Sequence, residues 1–225
     1  MSVITISREY GSEGDAIAQN TAKTLGYHFV DKTFIGDILG QYGYVEFDKE
    51  YESLPSFWER FDAQRGNQRD AMMKLLNQVI QAVARHGNVV ILGRSGFEVL
   101  GGFDDVLHVR LQAPFAVRVG RVMEYQNITF DQAETIVREN DKVRQAFVEE
   151  FYKVPWGAIH AFDLVMNTGK VPPELAVDLI VNTEKTRMAN PEMGRSTADI
   201  EVDRILADAL SDMLGCHKEH RLITV

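Results

Sequence analysis

The chain has 225 residues, 45% of them hydrophobic and 25% charged, the balance of one large globular domain or one domain with an appendage. That balance excludes disorder over the bulk of the chain, and this length buries an ample core without disulfide or metal staples. The 24 Lys plus Arg against 33 Asp plus Glu give −9, which excludes the basic surface a nucleic acid needs yet leaves local clusters free to hold a small anion.

Taken in order, Val3 to Ile6 is a β-branched run followed by a glycine-bearing turn, Tyr10-Gly11-Ser12-Glu13-Gly14. Ala16, Ile17, Ala18, Thr21, Ala22 and Leu25 then recur at helical spacing, and Gly26 supplies the stop. Tyr27 to Val30 reads as a second strand, so the opening is a βαβ unit and predicts a parallel sheet. Residues 33–70 mix aromatics and acids and predict short helices. From Asp70 one helical face carries Met72, Met73, Leu76, Val79, Ile80 and Val83, ending at Gly87. Val89-Val90-Ile91-Leu92 is the continuous apolar run of a central parallel strand.

Val106 to Leu111 predicts a further strand, with Ala113-Pro114 opening a helix that carries Arg118 and Arg121. A polar helix is expected over about 131–150 and a fifth strand over Leu164 to Asn167. Pro172-Pro173-Glu174 starts a helix through Ile180. Beyond Thr183 the composition turns polar and loop-like, so residues 184–225 are expected to form an appendage. Its one helix carries Ile205, Leu206, Leu210 and Met213, a face suited to a homodimer or to docking on the core, and Leu222 to Val225 could add a strand.

Cys216 is the only cysteine, which suits a reducing compartment. With no basic, apolar leader and no 18-residue apolar window, the expectation is a cytoplasmic protein without a membrane partner. Cys216, His217 and His220 are too few ligands for a zinc site, so no metal ligands are expected. His28, His86, His108 and His160 stand alone and predict core or surface roles.

In open parallel sheets, ligands sit beyond the carboxyl ends of the strands. The loop of residues 7–14, Asp31 and Gly93-Arg94 all emerge there. A glycine loop leading into a helix offers N–H groups and a positive dipole end to phosphate, although a plain tight turn has the same look. The loop lacks the lysine of G-x-x-x-x-G-K-[ST], and Glu9, Glu13 and Asp15 surround it with negative charge that only Arg8 opposes. Arg94, directly after a buried strand, suits a phosphate or an ion pair with Asp31. Arg118, Arg121, Arg138, Lys142 and Arg144 could neutralise a transferring phosphoryl group or form a solvated face.

Ile4 to Ser12, with Asp31-Lys32, Gly93-Arg94 and Asp163-Leu164-Val165-Met166-Asn167-Thr168, together resemble the cytidylate kinase-like family, a branch of the nucleoside monophosphate kinases. The resemblance covers about residues 1–183. It implies an α/β P-loop three-layer fold with a five-stranded parallel sheet, a monophosphate-binding insert at about 33–86 and a lid at about 121–152. It further implies ATP and Mg²⁺ as cofactors and small nucleotides as partners. Carried over, Ser7, Arg8, Gly11, Ser12 and Gly14, with Arg118 and Arg121, would hold the donor phosphates. Asp31, Arg94 and Arg69 would approach the acceptor, with Arg60 and Arg65 as further contacts in the insert. Arg8, Arg94, Arg138 and Arg144 would act in catalysis, with Asp141 in the lid's basic motif. Gly14 falls at the family's phosphate-binding lysine and Ala16 at its threonine. Two activities follow as expectations: a kinase acting on CMP, dCMP or a related acceptor, or a catalytically weak or inactive kinase-like binding or regulatory module.

Overall fold

The computed structural model describes residues 2–43, 66–190 and 194–220. Five parallel strands form its centre: β1 (Val3–Arg8), β2 (His28–Val30), β3 (Val89–Leu92), β4 (Val106–Gln112) and β5 (Leu164–Asn167), in the order β2-β3-β1-β4-β5. β3 and most of β1 and β4 are buried on both sides, as uninterrupted β-branched runs require in a sheet covered on both faces.

Helix α1 (Gly14–Leu25) packs Ile17, Ala18 and Ala22 against Ile4, Ile6, Val90 and Leu107, together with α7 (Pro173–Ala189). The other face holds Val3, Ile91 and Val106 against α2 (Lys32–Gln41), α3 (Gly66–His86), α4 (Gly96–Val99), the C-terminal part of α6 (Phe130–Tyr152) and α8 (Arg204–His220). α1 follows β1 and α4 follows β3, so the chain leaves these two adjacent strands toward opposite faces. That divergence opens a crevice at their carboxyl ends.

α1 ends at Gly26, whose φ of 69° suits glycine, with N–H bonds returning to Ala22 and Lys23. α6 opens with a capping box between Thr129 and Gln132. Together with α5 (Phe115–Gln126), its first half makes a small separate core of Val119, Val122, Ala133 and Val137.

Several expected boundaries move. α2 and α3 account for the described part of the irregular stretch, while residues 44–65, with Arg60 and Arg65, lie outside the described residues. The expected terminal strand at Leu222 to Val225 lies outside them too.

The helix that was to end near Ile180 runs on to Ala189, and the proposed boundary at 183 falls inside it. Its polar second half is held by Glu184, 1% exposed, which accepts from Arg187 Nη1 at 3.3 Å. Arg187 Nη2 also donates to the Asp104 carbonyl at 2.6 Å. Beyond the helix, Asp105 accepts from Ser196 Oγ and from both the N–H and the hydroxyl of Thr197, fastening the tail to the start of β4. α8 then buries Leu206, Leu210 and Leu214 in the core beside α3, so this apolar stripe docks on its own chain, and Ile205 points outward. No described helix is long and apolar enough to cross a membrane.

Candidate functional site

The loop between β1 and α1 is shaped by ion pairs from the α5–α6 hairpin. Arg118, buried, donates to the carbonyls of Ala113 and Tyr10 at 3.0 Å and pairs with Glu9 at 3.3 Å and Asp141 at 2.5 Å. Asp141 Oδ1 also accepts from the Tyr10 N–H at 2.9 Å, and Glu9 accepts from the Ala113 N–H at 3.0 Å. Arg121 pairs with Glu13 at 3.3 Å and donates to the Gly11 and Thr168 carbonyls. Thr168 Oγ1 donates in turn to the Ser12 carbonyl at 2.9 Å. Glu9 and Glu13, two of the three carboxylates that surround the loop in sequence, are therefore engaged as braces.

Two glycines in the loop are sterically required. Gly11 has φ 78°, and a Cβ there would stand 2.9 Å from the Arg118 carbonyl oxygen. A Cβ on Gly14 would meet Arg8 Cβ and Cγ at 2.7 Å, so Arg8 lies over the first turn of α1. Arg8 Nη2 reaches Asp15 at 3.1 Å. Ser12, fully buried, donates its hydroxyl to the Glu9 carbonyl at 2.8 Å. Glu13, in the left-handed region, places no side-chain cap on α1, whose first-turn N–H groups thus take no oxygen from the N-cap side chain.

Beside this loop a cavity of about 420 Å³ opens at the carboxyl ends of β1 and β3. Its walls include Ser7, Arg8, Arg94, Ser95, Arg144 and Trp156. Gly93, Arg94 and Ser95 all have positive φ, a strained turn that delivers Arg94 to the cavity. Arg144 comes from α6, lies 5.2 Å from the Tyr10 ring centroid and reaches Asp141 only at 4.0 Å. Burial, with Arg8 beside it, pushes the Arg144 guanidinium down to about 10.

The structure divides the residues expected from sequence. Ser7, Arg8, Arg94 and Arg144 meet at the cavity. Gly11, Ser12 and Gly14 shape the loop, and Arg118 and Arg121 brace it from behind. Arg138 stands apart, pairing with Glu134 at 2.7 Å over the Phe115 ring. Asp31 caps α2, accepting from the N–H groups of Thr33 and Phe34 at 2.9 and 3.0 Å, the ordinary work of an N-cap aspartate. Arg69 is placed by its backbone alone, in the first turn of α3. Among the described residues no group of His, Cys, Asp or Glu is arranged to hold a metal.

Sequence reasoning passed over Arg110, Ser95 and Trp156. An arginine inside the buried run Val106 to Leu111 was a legible signal; Trp156, in a loop, carried none. His108 is a core histidine, with Nδ1 2.7 Å from Thr5 Oγ1 and its pKa lowered by burial.

A family model described as the cytidylate kinase-like family matches residues 3–170. The chain is similar to the cytidylate kinase of Ignicoccus hospitalis, 26% identical over 180 residues that cover 80% of this chain and 97% of that one. It is also 35% identical over 105 residues to a uronate isomerase of Corynebacterium glutamicum, a match covering 47% of this chain and only 20% of that relative's length. Among solved structures, an uncharacterized protein from Eubacterium ventriosum superposes with a TM-score of 0.65 at 20% identity, covering 83% of this chain and all of that one. At that identity the likeness bears on the fold.

Proposed function

The chain belongs to the cytidylate kinase-like family, and from that premise we propose that it transfers the γ-phosphoryl group of ATP to a nucleoside monophosphate such as CMP or dCMP. The observation that carries this reading is the cavity at the switch point of the sheet, where Arg8, Arg94 and Arg144 converge beside an uncapped helix N-terminus. Such a site suits two phosphates brought end to end.

The uncapped first turn of α1 fits a donor phosphate, because its N–H groups and the dipole favour an anion there. No lysine stands in the loop, so Arg8 is the cation that would meet the donor. Mg²⁺ bound together with the donor would supply charge neutralisation beside Arg8.

In the transfer an acceptor phosphate oxygen forms a bond to the γ-phosphorus as the bond to the β–γ bridging oxygen breaks, releasing ADP. Arg94, on the turn after β3, orients the acceptor phosphate. Arg144 and Arg8 flank the position where charge spreads over the transferring group. The α5–α6 hairpin holds the loop through Arg118 and Asp141, so loop and hairpin move as one piece around the reacting groups.

The test is ADP formation from Mg·ATP with a panel of nucleoside monophosphates and a no-acceptor control. Acceptor-dependent turnover, strongest with CMP or dCMP, is expected. The Arg8–Asp15 pair favours a second reading, a kinase-like binding or regulatory module whose loop is closed to the donor. Absence of both turnover and ATP binding would select that reading.

A further inference from the structure

Arg110 sits on β4, paired in register with Ser7 of β1 and Val165 of β5, and is 3% exposed. Among the described residues its guanidinium makes one hydrogen bond, from Nη1 to Ser7 Oγ, at a long 3.4 Å. No described carboxylate comes within ion-pair distance. The other deeply buried arginine, Arg118, shows the contrast: it pairs with Glu9 and Asp141 and donates to carbonyls besides.

The rings of Trp156 and Phe162 lie 4.6 and 5.6 Å from the Arg110 guanidinium carbon. Rings attract the cation but take few of its N–H groups, so most of the donor fork is unspent. Burial lowers the pKa of Arg110, opposed from farther away by Glu9 and Asp141. A charge buried without a counter-ion is costly, and chains retain one where a ligand completes it.

The guanidinium lies one side chain from the cavity. Ser7, its hydroxyl partner, and Trp156, its aromatic cover, both line that space. Ser95, in the same wall, holds a buried hydroxyl oxygen with no hydrogen-bond partner among the described residues. A hydroxyl in the cavity wall and a cation directly behind that wall are therefore both without adequate partners among the described residues.

We infer that Arg110 is an anion-binding residue of this cavity, holding the phosphate of the acceptor nucleotide beside Ser7 and beneath Trp156. The inference rests on the reading of the cavity as an acceptor site. Arg110 is thereby a specificity residue: it rewards acceptors that carry a phosphate over the corresponding nucleosides. An unliganded buried charge is also a burden to the fold, so function and stability pull against each other at this position.

Thermal unfolding and calorimetric binding of the wild type, Arg110→Met and Arg110→Lys test this, with CMP, cytidine, inorganic phosphate and Mg·ATP as probes. CMP is expected to raise the wild-type Tm while cytidine does not. Arg110→Met is expected to melt at or above the wild type without ligand, to lose about ten- to a hundredfold in CMP affinity and to keep its Mg·ATP affinity. Arg110→Lys should recover part of the CMP effect. If Arg110→Met melts lower and still binds CMP as the wild type does, Arg110 is a structural brace and the inference falls while the kinase reading stands. If neither CMP nor inorganic phosphate stabilises the wild type, the inference and the acceptor-site reading fall together.

Discussion

The loop after β1 and the cavity beside it are both rich in charge, and they use it in opposite ways. Around the loop each arginine meets a carboxylate: Arg8, which also lines the cavity, with Asp15, and from α5 Arg118 with Glu9 and Asp141 and Arg121 with Glu13. In the cavity wall Arg144 reaches its nearest described carboxylate only at 4.0 Å, and Arg110 behind the wall reaches none among those described. Paired charge fixes a backbone; unpaired charge is capacity for a ligand. The loop's acids, which in sequence count against phosphate, serve mainly to hold its shape.

Asp141 is where the two regions meet, and its loss should have the largest effect. It accepts from the Tyr10 N–H, pairs with Arg118 and faces Arg144. Asp141→Ala leaves Arg118 buried with a weakened counter-charge, so urea denaturation should show a loss of about 3–5 kcal/mol. A loss under about 1 kcal/mol would mean that the loop does not depend on this brace.

Arg144→Met acts on the cavity side of the comparison. Removing a cation aimed at developing charge should lower turnover by about 10²–10³-fold. Stability should change little, because among the described residues Arg144 makes no ion pair shorter than 4.0 Å. Equal losses in stability and turnover would erase the distinction between bracing and binding arginines.

The frame of the fold was legible because it is local. The apolar run Val89 to Leu92, the stops at Gly26 and Gly87 and the stripe from Met72 to Val83 each state their structure in consecutive residues. Motif order singled out Arg94 and Arg144, and both line the cavity. The braces were not, because Arg121 and Gly11, or Asp141 and Tyr10, are brought together only by the finished sheet and hairpin. The second half of α7 was hidden for a similar reason: its polar surface reads as loop, and the anchor that buries it is itself a glutamate.

That glutamate provides a test at the far end of the sheet, away from the site. Burial raises the Glu184 carboxyl to about 7, opposed by Arg187, with Asp105 and Asp163 adding to the rise. Since the folded state holds its proton more tightly than the unfolded chain, stability should decline as pH rises from about 4.5 through 7. Glu184→Gln should flatten that decline, with a difference of about 3 kcal/mol as the ceiling across the window. Turnover measured below the melting range should be unaffected. A wild-type profile with no slope between pH 5 and about 7 would mean that Arg187 holds the carboxylate charged.

The smallest effect should come from Asp15, yet it bears most directly on how the loop receives a donor. Asp15 is largely exposed and contacts Arg8 at 3.1 Å, at the start of a helix where a negative charge is favourable. Its carboxylate thus sits where a phosphate oxygen would approach, satisfying the same guanidinium and the same dipole. Asp15→Asn keeps the size, removes the charge and releases Arg8. Stability should fall slightly, through the lost helix–charge interaction, while Mg·ATP affinity rises about three- to tenfold, most clearly at low salt. The opposite signs matter, because simple damage to the loop would lower both quantities. Unchanged ATP affinity would mean that Arg8 already serves the donor with Asp15 in place, and that the acid is a neighbour of the phosphate rather than its competitor.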